Sequence, residues 1–199
     1  MSDIAPQTPT DGTSLPKIVL IGNSNVGKSS ITSYLVKGVH SFVGKIGKRP
    51  GTTLKIKPLV MPHNYEIVDM PGLGYMTSKG RGNTKHIWDF IIHYLEENAK
   101  HVRLAFIVIS IENFRRNVEK WEAVQIPVDM EMTEFLQELE IPFKIIVNKI
   151  DKVPLLAAKE DLALIAEKMQ VPPSDIFPVS AKLGKGLKEV KDFVASLFK

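Results

Sequence analysis

The stretch that decides the fold is the octapeptide Gly22-Asn23-Ser24-Asn25-Val26-Gly27-Lys28-Ser29. It follows the short apolar run 17–21 and precedes residues 30–37, whose apolar side chains fall at helical spacing. This order is typical of a phosphate-binding loop, in which glycines let backbone N–H groups wrap a polyphosphate at a helix N-terminus. We therefore predict that Lys28 contacts the β- and γ-phosphates and that Ser29 offers its hydroxyl to Mg²⁺.

Length and composition are those of one ordinary domain. The 199 residues are 44% hydrophobic, which is enough for a full core. No run approaches the ~20 apolar residues that cross a bilayer, and the polar start is not a signal peptide. We expect a monomeric cytoplasmic protein without a membrane partner. The absence of cysteine excludes disulfides and thiolate metal sites.

Charge is distributed unevenly, although the net value is only +4. No acidic residue occurs between Asp11 and Glu66, an interval that contains Lys17, Lys28, Lys37, Lys45, Lys48, Arg49, Lys55 and Lys57. A segment of one sign is compatible with an anionic partner such as RNA. Taken singly, each lysine other than Lys28 is better explained as a solvated surface charge.

Strands and helices alternate from Lys17 onward. We read 1–16 as a flexible leader and 17–199 as a single domain. The predicted strands are 17–21, 55–61, 65–70, 104–109, 143–147 and 176–179, and a turn at 62–64 joins the second to the third as a hairpin. This pattern predicts a three-layer α/β domain with a mainly parallel six-stranded sheet, one antiparallel edge strand, and ligands at the carboxyl ends of the strands.

Three further motifs follow predicted strands. Asp69-Met70-Pro71-Gly72 offers a carboxylate for Mg²⁺ and a backbone N–H for a γ-phosphate. Asn148-Lys149-Ile150-Asp151 offers a carboxylate to the N1–H and amino group of guanine, which selects GTP over ATP. Val179-Ser180-Ala181-Lys182 would place a backbone N–H on guanine O6. Because the motifs occur in order at strand ends, we predict a GTP/GDP site.

These motifs resemble those of the Ras-like GTPase domain. Together with Ser30, the phosphate loop resembles that of the EngB (YihA) family of translation-factor-related GTPases. The segments Lys48-Arg49-Pro50-Gly51-Thr52-Thr53 and 69–75 and the helix that starts near Pro127 are similar to that family as well. The resemblance covers residues 17–199. The sequences of residues 47–51 and 115–121 are more similar to those of archaeal members than to those of bacterial members.

The resemblance implies further roles. Thr53 would ligate Mg²⁺ in the GTP state, although the adjacent Thr52 could be the ligand instead. Leu73 stands where Ras has a glutamine that orients the attacking water, so we expect slow hydrolysis that depends on Lys28, Gly72 and Thr53. Asn25 occupies the position of a potassium-holding asparagine in related GTPases, which makes K⁺ activation a hypothesis; the alternative is that Asn25 only orders the loop.

The biological role stays open between alternatives. The family is implicated in large ribosomal subunit assembly, which implies a pre-ribosomal particle, bound through rRNA or ribosomal protein, as partner. It is also linked to cell division and septation, which would make the chain a protein-recruiting regulatory GTPase. A P-loop ATPase or kinase is disfavoured by Asp151, because that carboxylate suits guanine.

Overall fold

The fold is built on a six-stranded sheet. The computed structural model describes residues 14–39, 56, 58–73, 81–112, 114 and 128–199, and only the backbone at 81–85 and 128–129. The strands are β1 (Lys17–Ile21), β2 (Leu59–Met61), β3 (Tyr65–Asp69), β4 (Val102–Ser110), β5 (Phe143–Asn148) and β6 (Ile176–Pro178). Their order is β2-β3-β1-β4-β5-β6, with every neighbouring pair parallel except β2 and β3. The predicted sheet with one antiparallel edge strand is therefore confirmed.

The central strands are apolar on both faces because helices cover both. All five residues of β1 and eight of the nine in β4 are buried. The turn between β2 and β3 has left-handed backbone at His63 and Asn64, with φ of 70° and 57°. Such residues reverse the chain tightly enough to form a hairpin.

Five helices complete the three layers in the described part of the chain. They are α1 (Lys28–Leu35), α2 (Arg81–Asn98), α3 (Val128–Glu138), α4 (Leu155–Lys168) and α5 (Leu187–Ser196). α2, α3 and α4 pack on one face of the sheet, through Ile91, Leu95, Met132, Leu136 and Ile165. α1 and α5 pack on the other face, through Ile31, Leu35, Leu187, Val190 and Val194. None of the helices in the residues described is long and apolar enough to span a membrane.

Three elements start at residues other than the predicted ones, and the ends of α1, β3, β4, β5 and β6 differ by one or two residues. α1 begins at Lys28 rather than Ser30, because the left-handed Gly27 directly precedes the first helical turn. β2 begins at Leu59, after Pro58, whose missing N–H suits a position just before an edge strand. β4 begins at Val102 because that residue already pairs with Lys17 of β1.

The residues just before β1 pack on the domain. Leu15 is buried, and the carbonyl of Pro16 accepts a 2.8 Å hydrogen bond from the N–H of Glu66. Lys17 forms a 2.9 Å ion pair with Glu66 and donates to the hydroxyl of Ser14 at 2.6 Å. Residues 14–16 thus extend the attachment of β1 to its neighbour β3.

Candidate functional site

The phosphate loop, residues 22–29, joins β1 to α1 at the carboxyl end of the sheet. Lys28 is buried, and its Nζ donates to the carbonyl oxygens of Gly22 and Asn23, each at 2.8 Å. These two bonds fix the ammonium group against the loop backbone. A bound phosphate would therefore meet a charge that is already positioned, together with the N-terminus of α1.

Gly27 fits its position because no side chain can be accommodated there. Its φ is 104°, and a Cβ would lie 2.1 Å from Nδ2 of Asn148. In the same loop Asn25 is exposed with φ 63°, a conformation that asparagine tolerates better than most residues, whereas Val26 is buried in the core. The side chain of Asn25 is therefore exposed to solvent, and the buried side chain of Val26 holds the loop against the core.

Ser29 and Asp69 come together although they are 40 residues apart in sequence. The hydroxyl of Ser29 donates to Oδ2 of Asp69 at 2.8 Å. Oδ1 of Asp69 is buried and has no hydrogen-bond partner in the part of the chain that is described. Burial raises the pKa of Asp69, while the Ser29 hydrogen bond and the Lys28 charge oppose that rise. A hydroxyl and a carboxylate with an unpaired oxygen suit the oxygen-ligand preference of Mg²⁺.

The segment after Asp69 lies directly on the phosphate loop. The N–H of Leu73 donates to the carbonyl of Gly22 at 3.2 Å, and the N–H of Ser24 donates to the carbonyl of Leu73 at 3.1 Å. A Cβ on Gly72 would lie 2.6 Å from Oγ of Ser24. Met70 and the Leu73 side chain are buried and Pro71 is half-buried. Leu73 therefore belongs to the core and cannot orient a water molecule by its side chain.

Asn148, at the end of β5, connects three parts of the site. Its Nδ2 donates to the carbonyl of Val26 at 2.7 Å. Its Oδ1 accepts from the backbone N–H of Lys149 at 2.7 Å and from that of Ala181 at 3.0 Å. One buried amide thus ties the phosphate loop to the loops 148–151 and 179–182.

Asp151 is held by the second of these loops. The hydroxyl of Ser180 donates to Oδ1 of Asp151 at 2.5 Å and accepts from the N–H of Leu183 at 3.2 Å. The Ser180 bond, helped by the charges of Lys182 and Lys152, holds the pKa of Asp151 below its usual value. An ionised, oriented carboxylate can accept two hydrogen bonds from a base edge.

Backbone bonds between the strand ends position these loops. Val179 donates its N–H to the carbonyl of Val147 at 2.8 Å, and Ile150 donates to the carbonyl of Val179 at 3.2 Å. Lys149 has left-handed backbone with φ 66°, and its Nζ forms a 3.3 Å ion pair with Glu112. Sequence reasoning did not identify Glu112, because no spacing rule links residue 112 to residue 149.

The structure brings together the predicted residues of the four loops it describes. These are Gly22, Asn23, Ser24, Asn25, Val26, Gly27, Lys28, Ser29 and Ser30, with 69–72, 148–151 and 179–182. Gly51, Thr52 and Thr53 lie outside the described residues, as do residues 115–121. Within the described part there is no group of three or more His, Asp or Glu side chains that could hold a metal ion.

Known proteins share this chain's sequence and fold. Residues 17–149 match the family model described as a 50S ribosome-binding GTPase. A protein of Pyrococcus horikoshii named "Probable GTP-binding protein EngB" is 37% identical over 88% of this chain and 80% of its own length. A protein of the same name from Methanopyrus kandleri is 36% identical over 88% of each chain.

A solved structure agrees with the sequence relatives. The crystal structure of a probable GTP-binding protein engB superposes with a TM-score of 0.76 at 34% identity, covering 92% of this chain and 98% of that one. The sheet, the phosphate loop and these matches define a P-loop GTPase. Within that class the chain belongs to the EngB family.

Proposed function

We propose that this EngB-family GTPase is a Mg²⁺-dependent switch that acts in large ribosomal subunit assembly. The observation that carries the nucleotide part is that Asn148 ties the phosphate loop to the loops 148–151 and 179–182, since this brings the loop of Lys28 and the loop of Asp151 to one site. The ribosomal part is supported by the description of the matching family model as a 50S ribosome-binding GTPase.

Nucleotide binding follows from the four loops. Backbone N–H groups of 22–29 and Nζ of Lys28 bind the phosphates, and Asp151 accepts from guanine. The N–H of Ala181, which donates to Oδ1 of Asn148 in this structure, is the donor proposed for O6 of the same base. Asn148, Lys149, Ile150 and Val179 to Lys182 shape the base site. The Ser180 hydrogen bond orients the carboxylate of Asp151 and favours its ionised form, which lowers the reorganisation needed when the base enters.

Ser29 and Asp69 are the residues that would hold Mg²⁺, with Thr53 or Thr52 as a further ligand. The ion would supply positive charge to the β- and γ-phosphate oxygens. Two groups of the chain act on the γ-phosphate. Lys28 stabilises its negative charge, and the backbone N–H of Gly72 contacts the same phosphate. With Leu73 buried, no side chain there orients water, so hydrolysis is slow unless a partner or K⁺ at Asn25 assists.

Nucleotide choice is tested by competition. GTP and GDP should displace a fluorescent guanine nucleotide, whereas ATP should not. Asp151→Asn should abolish guanine selectivity, and Asp175→Asn, at an exterior ion pair with Lys144, is the matched control. Displacement by ATP as strong as by GTP would contradict the assignment of Asp151.

Potassium dependence is tested by comparing hydrolysis in K⁺ and Na⁺ buffers. We expect faster turnover in K⁺ for the wild type and no difference for Asn25→Ala. Equal rates in both salts for the wild type would exclude the role of Asn25 in holding K⁺.

The ribosomal role is tested by co-sedimentation with large-subunit particles in a non-hydrolysable GTP analogue. Binding should require GTP and weaken as salt rises if phosphate contacts contribute. A chain that binds GTP but never sediments with the particles would instead support the alternative, a protein-recruiting GTPase of cell division.

A further inference from the structure

Three large hydrophobic side chains are exposed in the described part of the chain, and all three follow the base-site loops. Leu155 is 76% exposed, Leu156 is 71% exposed and Leu183 is 55% exposed. Leu155 and Leu156 come four and five residues after Asp151, and Leu183 follows Lys182. Single exposed leucines are ordinary, but here every exposed one lies beside the same functional loops.

The two loops that carry these leucines are joined to each other. The hydroxyl of Ser180 bonds both to Oδ1 of Asp151 and to the backbone N–H of Leu183. Asp151 lies in the short 3₁₀ turn Ile150–Lys152, directly before α4. The three leucines therefore lie at the end of the molecule that carries the loops 148–151 and 179–182. Ser180 and Asp151, which belong to the proposed base site, connect these two loops.

Three lysines lie beside the leucines, together with the carboxylates of Asp151 and Glu160. Lys152 and Lys182 both lie close enough to Asp151 to lower its pKa. The backbone of Lys185 is held beside the same loop, because its carbonyl oxygen accepts a 3.0 Å hydrogen bond from the N–H of Ser180. These three lysines are exposed and form no ion pair with any residue of the described chain.

The start of α4 adds a third feature. Its N-cap is Pro154, no side chain caps the helix, and its first turn contains no acidic residue. The N–H groups of a first helical turn favour a negative group. A carboxylate from outside would complement both this helix end and the lysines.

We propose that Leu155, Leu156 and Leu183, with Lys152, Lys182 and Lys185, form a docking site for an acidic protein segment with apolar side chains. We call these six residues the leucine–lysine surface. Aliphatic side chains bury apolar protein groups, whereas single-stranded RNA is bound by aromatic stacking, which this surface lacks. The occupant is therefore a protein.

Docking here changes the release of guanine nucleotide. An occupant in contact with Leu155 or Leu183 also affects Asp151 and Ser180, since these two residues stand in the same loops as the leucines. This consequence rests on the proposed assignment of Asp151 to guanine. The coupling between two such sites is typically about fivefold or more in affinity.

The probe is a random-peptide phage library selected on the full-length GDP-bound protein. Selection is repeated on the triple variant Leu155→Ser, Leu156→Ser, Leu183→Ser, which should fold because all three side chains are exposed. We expect peptides that bind the wild type only, contain more Asp and Glu than Lys and Arg, and carry at least two large apolar residues. Lys185→Glu should weaken them, and Lys168→Glu, about 20 Å away at the far end of α4, should not.

A synthetic copy of a selected peptide should change the release rate of fluorescent GDP about fivefold in the wild type, with no effect on the triple variant. Absence of any leucine-dependent peptide, or a basic consensus, would overturn the proposal. So would leucine-dependent sedimentation with phosphatidylglycerol vesicles, which would make this a membrane surface. GDP binding by the wild type separates the two failures: a wild-type protein that binds GDP but yields no leucine-dependent peptide contradicts the docking site only, whereas failure to bind GDP contradicts the proposed nucleotide site.

Discussion

Asn148 makes three hydrogen bonds through one buried side-chain amide, and each reaches a different loop. Replacing it by alanine leaves the carbonyl of Val26 and the N–H groups of Lys149 and Ala181 without their partner. Each such loss costs about 1–3 kcal/mol when the group stays buried. The residue therefore has a structural role besides its place in the proposed nucleotide site.

We predict that Asn148→Ala lowers the free energy of unfolding by about 3 kcal/mol. GDP affinity should fall by about tenfold or more, because the three loops lose the hydrogen bonds that join them. Denaturant unfolding and fluorescent GDP titration measure the two effects. Asn98→Ala, which removes one side-chain bond to Tyr94 in α2, is the control and should leave GDP affinity unchanged.

Ser180 determines how easily Asp151 is protonated. Its hydroxyl is the largest cause of the lowered pKa of that carboxyl. A lowered pKa means that base binding persists in mild acid and is lost only as pH falls through the folded-state pKa. We predict that Ser180→Ala moves this loss of GDP binding to higher pH.

The measurement is GDP affinity between about pH 3.5 and pH 7, bracketing the ordinary range of an aspartate. Ser174→Ala, an exposed serine near Asp175, is the control. Superimposable pH profiles for wild type and Ser180→Ala would show that the hydroxyl does not govern the ionisation of Asp151.

At the scale of secondary-structure elements, α2 carries an unfavourable buried group. The hydroxyl of Tyr94 is buried without a hydrogen-bond partner in the described residues, and burial, with the nearby Glu66 charge, raises its pKa to about 12. Tyr94→Phe should raise the free energy of unfolding by about 1 kcal/mol, because an unsatisfied polar atom is removed.

Thermal unfolding checks this prediction, with an expected rise in Tm of about 2–4 °C for a chain of this size. Tyr34→Phe in α1, where the side chain is half-buried, should change stability by less than about 0.5 kcal/mol. A loss of stability in Tyr94→Phe would mean that the hydroxyl is satisfied after all.

Local sequence patterns predicted the elements better than their ends. The buried strands β1, β4 and β5 contain the continuous apolar runs 18–21, 104–109 and 145–147, and the 3.6-residue spacing marks α5 clearly. The start of α1 was missed because it depends on the backbone of Gly27, whose close approach to Asn148 is a tertiary contact. Similarly, the short β2 reflects Pro58 and pairing with β3 rather than local propensity.

The site was predictable where it follows motif spacing and not where it depends on distant contacts. Lys28, Asp69 and Asp151 stand in motifs whose chemistry can be read directly. The bond from Asn148 to Val26 joins residues 122 positions apart, and the Glu112–Lys149 pair has no sequence signature at all. Only the folded sheet, which brings the strand ends to one edge, reveals them.

At the scale of the whole molecule, the position of the domain start can be tested by truncation. Leu15 is 8% exposed, and Pro16 bonds to Glu66. We predict that a chain lacking 1–16 has a free energy of unfolding about 2–3 kcal/mol lower than a chain lacking only 1–13, because a buried leucine and a backbone bond are lost. Equal stability of the two truncated chains would contradict this.

The amide of Asn148 also affects how the two halves of a nucleotide contribute to binding. A guanosine that orders the loops 148–151 and 179–182 also restrains Val26 and therefore the phosphate loop. The conformational entropy of these loops would then be lost once, and not separately for guanosine and for pyrophosphate. Guanosine and pyrophosphate should thus bind with positive cooperativity when added together, and this non-additivity should disappear in Asn148→Ala.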